Sequence, residues 1–211
     1  MFKENLAIFL AIFFLGNTIH LQSTEASIDL PAGTINLIAD NGQAIKLCSN
    51  CGNAAYTDSA SVVDFSPSDK GQVWTLEVVG GQVAFKGSNG KYLSRCNNCW
   101  NSAADPDSAF VHTPDYQPWS LWTPVLNANG KYSFKSDNGK YLARCNGCAN
   151  GANSPNFAFV HEANADNAWA QWEVVYTNLP RPGLYTIQAD NGQFLKVCSS
   201  CGGAYPNAAS V

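Results

Sequence analysis

The sequence predicts an all-β chain built from repeats, and three observations carry that prediction. Helical periodicity is absent beyond the amino-terminal apolar run, while short β-rich segments recur, as in Thr34 to Ile38, Ala44 to Leu47, Ser61 to Phe65 and Trp74 to Val79. An Asn-Gly pair stands between such segments four times, at Asn41-Gly42, Asn89-Gly90, Asn138-Gly139 and Asn191-Gly192. Asn-Gly is the strongest short hairpin signal, because a type I′ turn needs two positive φ angles. Each Asn-Gly is followed by Cys-x-x-Cys: Cys48 and Cys51, Cys96 and Cys99, Cys145 and Cys148, Cys198 and Cys201. A compound motif that returns at fixed spacing is the mark of a repeat architecture.

The elements follow in order along the 211 residues. Residues 1–26 read as a secretory signal peptide: Lys3 precedes an unbroken apolar run from Leu6 to Leu15, and Thr24-Glu25-Ala26 offers a cleavage site before Ser27. The run is too short for a comfortable membrane span, and no later segment approaches one. Residues 27–180 read as one domain of three repeats, about 33–79, 80–127 and 128–177. The second and third superpose at an offset of 49: Asn89-Gly90-Lys91-Tyr92-Leu93 on Asn138-Gly139-Lys140-Tyr141-Leu142, and Ala109-Phe110-Val111-His112 on Ala158-Phe159-Val160-His161. Their closing segments carry Trp119 and Trp122, then Trp169 and Trp172, with Trp74 in the first.

Residues 181–211 restart the series. Ala39-Asp40-Asn41-Gly42-Gln43 returns unchanged as Ala189-Asp190-Asn191-Gly192-Gln193, so the fourth copy matches the first. Four strands per repeat suit a β-propeller, one repeat to a blade, or a β-trefoil. A trefoil closes after three repeats, and here the count begins again after three. The expectation is therefore a β-trefoil of three four-stranded repeats of about 49 residues, followed by the first half of a second, truncated trefoil.

Val83 to Ser94 and Tyr132 to Leu142 resemble the repeat signature of fascin-like β-trefoils, and the Trp-bearing closing strand is similar to that of lectin-type trefoils. The Gln-x-Trp of ricin-type lectins stands only at Gln72-Val73-Trp74; Ser120-Leu121-Trp122 and Ala170-Gln171-Trp172 depart from it, so the ricin-type sugar site does not transfer. The resemblance covers residues 33 to 177 and implies a module that binds actin, glycans or other ligands, without choosing among them. A secretory signal makes cytoskeletal actin a poor partner.

In an oxidising compartment the even cysteine count implies disulfides. With one Cys-x-x-Cys per repeat, and repeats expected far apart in space, the simplest pairing is local: Cys48–Cys51, Cys96–Cys99, Cys145–Cys148 and Cys198–Cys201. Closing so short a loop contributes about 2 kcal/mol. A thioredoxin-like redox site would need a helix after the motif, and none is patterned here. A structural zinc would need two pairs brought together, which separated repeats oppose.

No nucleophile, base and orienting group converge in the pattern, so the chain is not expected to be an enzyme, and no cofactor or metal is called for. With 13% charged residues, a net charge of −4 and no basic run, a nucleic-acid partner is not expected. The candidate site lies in the polar loop after Cys96. Trp100 occurs once there and would stack on a sugar face if it met solvent, or fold onto the domain surface if it did not. Asn97, Asn98, Asn101, Asp105 and Asp107 would supply hydrogen bonds to hydroxyls, and His112 and His161 recur at equivalent places as candidate multivalent contacts. The function expected is a secreted, non-catalytic module binding a glycan or polysaccharide. The rival is an extracellular matrix protein, self-associating by cross-links through its Cys-x-x-Cys motifs. A protease inhibitor ranks behind both, since no single loop stands out as a substrate mimic.

Overall fold

The computed structural model describes residues 30–177, except 53 and 102, and the backbone at 196–198 and 208–210. The signal-peptide expectation and the Cys198–Cys201 pair lie outside the described residues. So does the partial repeat 181–211, apart from two short strands paired antiparallel, Lys196–Cys198 and Ala208–Ser210.

The first repeat contributes β1 (Gly33–Ile38), β2 (Gln43–Ser49), β3 (Asp58–Asp64) and β4 (Trp74–Val79). The second contributes β5 (Gln82–Lys86), β6 (Tyr92–Asn97), β7 (Asp107–Thr113) and β8 (Thr123–Leu126). The third contributes β9 (Tyr132–Lys135), β10 (Tyr141–Asn146), β11 (Asn156–Glu162) and β12 (Glu173–Tyr176). A one-turn 3₁₀ helix precedes each closing strand, at Lys70–Gln72, Pro118–Ser120 and Ala168–Ala170.

The expected β-trefoil of four-stranded repeats is corrected by the pairing. The chain is all-β, but its strands do not pair within repeats alone. β1 pairs with both β4 and β12, and β3, β7 and β11 pair with one another across all three repeats. The result is a closed eight-stranded antiparallel barrel carrying four extra strands. Sequence periodicity shows that units are alike; it does not show which unit each strand edge satisfies, and backbone donors bond whichever edge is near.

The hairpin turns also differ from the type I′ expectation. The glycines have positive φ (Gly42 81°, Gly90 77°, Gly139 83°), but Asn41, Asn89 and Asn138 are not among the positive-φ residues. Each glycine amide instead bonds the carbonyl three residues back, on Ala39, Gly87 and Ser136, which is a type I turn ending in a left-handed glycine. The asparagine Oδ1 accepts the amide two residues on, at Gln43, Lys91 and Lys140.

Trp74, Trp122 and Trp172 are fully buried at the centre of the core with Ile35, Leu37, Phe85 and Phe134. Their indole N–H groups donate to Ile45, Leu93 and Leu142 carbonyls at 3.2, 3.2 and 2.9 Å. Each polar tip is thus satisfied inside the core, so the rings fill volume without leaving a donor stranded.

Candidate functional site

The Cys-x-x-Cys loops close locally as Cys48–Cys51, Cys96–Cys99 and Cys145–Cys148. The expectation that they lie far apart is corrected. Cys51, Cys96, Cys99, Cys145 and Cys148 share one buried cluster with Trp100, Phe110, Phe157 and Phe159. The loops also bond one another head to tail: Ala55 N–H donates to Cys99 O, Ala104 N–H to Cys148 O, and Asn153 N–H to Cys51 O. β3, β7 and β11 cross at the same end of the barrel, through Ser59 with Phe110, Ser108 with Phe159 and Phe157 with Ser61, and this crossing draws the loops together.

Trp100 lies within that cluster, only 4% exposed. It packs on Phe157 at 4.8 Å and Phe110 at 5.9 Å between ring centroids, and its Nε1–H donates to Asn150 O. A Cβ at Gly52 would run into its indole. The solvent-facing platform is thus corrected to a buried ring; the first repeat carries the small Ser61 where the other two carry Phe110 and Phe159.

Asp107, 8% exposed, accepts from Arg95, Asn97 and Asn138. Burial alone would raise its carboxyl, but the bonds from Asn97, Arg95 and Asn138 outweigh it and hold the group below the usual carboxylate range. Asp105 accepts the Asp107 amide and stands 4.0 Å from Lys140. Asn97 and Asn98 are exposed and bonded to each other; Asn98 has a left-handed φ of 55°, as Asn50 (58°) and Gly147 (74°) have in the other loops. Asn101 is exposed on the same loop. His112 and His161 are half-buried, each with an unpartnered Nδ1; His112 stacks on Tyr56 at 4.4 Å, and His161 lies 3.6 Å from Glu162. They sit in different repeats; Asp105 of the Trp100 loop acts electrostatically on His161. Among the described residues no group of side chains could hold a metal ion, and no helix is long and apolar enough to cross a membrane.

The repeats meet at a recurring clasp. Arg95 of the second grips Asp137 of the third with two bonds of 2.7 Å, and Arg144 of the third grips Asp40 of the first at 2.8 and 2.9 Å. Arg95 is the chief cause that holds the Asp137 carboxyl below its usual range. At the remaining junction Leu47 replaces the arginine, against Gly87 of the second repeat. Beside two of these clasps the 3₁₀ turns present Trp119 and Trp169, 38% and 41% exposed, and the Arg144 guanidinium lies under the Trp169 ring at 5.1 Å. Asn167 caps the turn by accepting the Trp169 amide, and Gln117 and Ser120 cap the Trp119 turn reciprocally. The Trp-x-x-Trp pattern names Trp119 and Trp169 beside the buried Trp122 and Trp172 without assigning them a side. The signal that separates them is the turn itself: three residues before the buried Trp, a 3₁₀ turn swings the side chain outward.

No protein-family model and no curated protein matches the chain. Several solved structures share its fold. A designed three-fold symmetric protein, ThreeFoil, aligns with TM-score 0.52 and 18% identity over 68% of this chain and 98% of that one. A Polyporus squamosus lectin, solved with the human-type influenza-binding epitope Neu5Acα2-6Galβ1-4GlcNAc, aligns with TM-score 0.53 and 12% identity over 69% of this chain; the chain spans 49% of that lectin. A Culex salivary protein of the Cysteine and Tryptophan-Rich family aligns with TM-score 0.50 and 14% identity over 73% of this chain and 99% of that one. At these identities the likeness is one of fold. The fascin-like resemblance stays with the motif alone.

Proposed function

We propose that this chain is a secreted, non-catalytic module that binds carbohydrate in the clefts between its repeats. The observation that carries the reading is the pair of exposed indoles, Trp119 and Trp169, on capped turns of a domain that buries every equivalent of Trp74. A flat exposed indole suits the apolar face of a sugar ring, and its N–H suits a hydroxyl. Arg144, against the Trp169 ring, belongs to a polar chain of Asp40, Arg144, Asn156, Gln43 and Asn41, already hydrogen-bonded to one another and so held in place for further bonds. Asn97, Asn98 and Asn101 stay in the proposal as exposed loop contacts, with His112 and His161 at the repeat edges, whereas Asp107 and Trp100 serve the structure.

The non-catalytic part rests on commitment of the acids: Asp40, Asp107 and Asp137 each bond an arginine across or within repeats. Three disulfides suit an oxidising, extracellular compartment. Cross-linking into a matrix loses support, since no described cysteine is free. The test is retention of the folded protein on a panel of neutral glycans and polysaccharides. Wild type is expected to be retained, and Trp119→Ala with Trp169→Ala to weaken retention at least about tenfold, the loss of one or two stacked faces. No retention of wild type on any member would overturn the reading.

A further inference from the structure

The junction between the first and second repeats departs from the other two. Gly71 sits in the 3₁₀ turn where Trp119 and Trp169 sit in theirs, each three residues before the buried Trp74, Trp122 or Trp172. Leu47 replaces the clasping arginine at the same junction. At this junction lies an open groove of about 280 Å³, lined by Lys70, Val73, Thr75, Lys86, Gly87 and Ser88. A Cβ on Gly71 would press on Asp69 Oδ1, Lys46 Cε and Leu47 O at 3.2 to 3.3 Å, and Lys46 and Asp69 form an ion pair of 2.8 Å there. Lys46 is thus committed to Asp69 beside Gly71, while two other cations, Lys70 and Lys86, line the groove.

Among the described residues neither Lys70 nor Lys86 has an ion-pair partner; Lys86 leans over the Tyr92 ring, 5.4 Å from its centroid, which limits where its ammonium can go. Thr75 and Lys86 are directly opposite each other on β4 and β5, and both line the groove. On a chain of net charge −4, a concave site with two unpaired ammoniums and the hydroxyls of Thr75 and Ser88 selects for negative charge.

We infer that this groove binds the sulfate or carboxylate substituent of an acidic polysaccharide, while the tryptophan clefts take its neutral rings. The inference rests on the carbohydrate reading and makes the ligand class acidic. Immobilised dextran sulfate and unsulfated dextran are the probes, with the full chain as analyte at fixed ionic strength. Lys70→Gln with Lys86→Gln is expected to bind dextran sulfate about tenfold more weakly, two exposed ion pairs lost, and unsulfated dextran as wild type does. Lys131→Gln with Lys135→Gln, a half-buried and an exposed cation outside the groove, is expected to bind dextran sulfate unchanged. Absence of wild-type binding to dextran sulfate, equal binding by the groove variant, or an equal loss in the control pair would each overturn the inference. So would competition by free inorganic sulfate as effective, per sulfate, as the polymer, which would assign the groove to a small anion. Trp169→Ala separates the two claims: its loss of neutral-glycan binding with an inert groove variant leaves the cleft reading standing and removes only this one.

Discussion

Val63 occupies in the first repeat the place that His112 and His161 occupy in the others, and that comparison sets what the imidazoles do for the fold. Both histidines are partly desolvated, and burial is the chief cause that lowers each below the ordinary imidazole value. A group whose folded pKa is depressed is protonated more readily in the unfolded chain. For histidine the stability is then complete above the unfolded value of about 6.5 and falls as pH drops below it. Thermal midpoints are expected to decline between about pH 7 and about pH 5.5, ahead of the carboxylates, whose losses come lower still. His112→Val with His161→Val, copying Val63, is expected to flatten that part of the profile and leave the deeper acid limb in place. An unchanged slope in the double variant would show that other groups carry the pH dependence.

The hairpins act as the teeth that lock one repeat into the next. Arg144 is 9% exposed and its partner Asp40 17% in their side chains, so the pair is largely withdrawn from water. Removing one partner of such a pair leaves the other charge without compensation, a cost of about 3 kcal/mol. Arg144→Ala is therefore expected to lower stability by that order in chemical denaturation, and Arg144→Leu with Asp40→Ala by distinctly less than the two single changes summed, because the Leu47 junction shows that an apolar contact can serve. Strict additivity would argue that the clasp is not a pair. Much at this scale was legible: twelve strands, their hairpins and the local disulfides follow from Asn-Gly, β-rich runs and Cys-x-x-Cys. The clasp was not. Asp40 and Asp137 read as turn residues because their partners lie 104 and 42 positions away, and charge spacing along the chain carries no record of such distant contacts.

At the scale of the molecule, the all-β class was legible and the closure was not, since an offset of 49 says nothing about whether strand edges pair inside or outside the unit. The same gap hid the disulfide cluster: each loop reads as independent, yet Ala55, Ala104 and Asn153 tie loop to loop in a cycle that returns to its start at Cys51. That cycle changes what a disulfide contributes. An isolated four-residue loop gains about 2 kcal/mol from its bond, whichever other loops are intact. In a cycle, loosening one loop also frees the donor or acceptor that it offers to each neighbour, so part of the neighbour's contribution is lost in the same step. Replacing Cys48 and Cys51 by Ala, or Cys96 and Cys99, is thus expected to cost more than about 2 kcal/mol each, while replacing both pairs costs less than the sum by about 0.5 kcal/mol or more. Urea denaturation of the two single-loop variants, the combined variant and wild type measures the difference directly. Additive losses of the isolated-loop size would mean that the three loops lie side by side without acting as one ring.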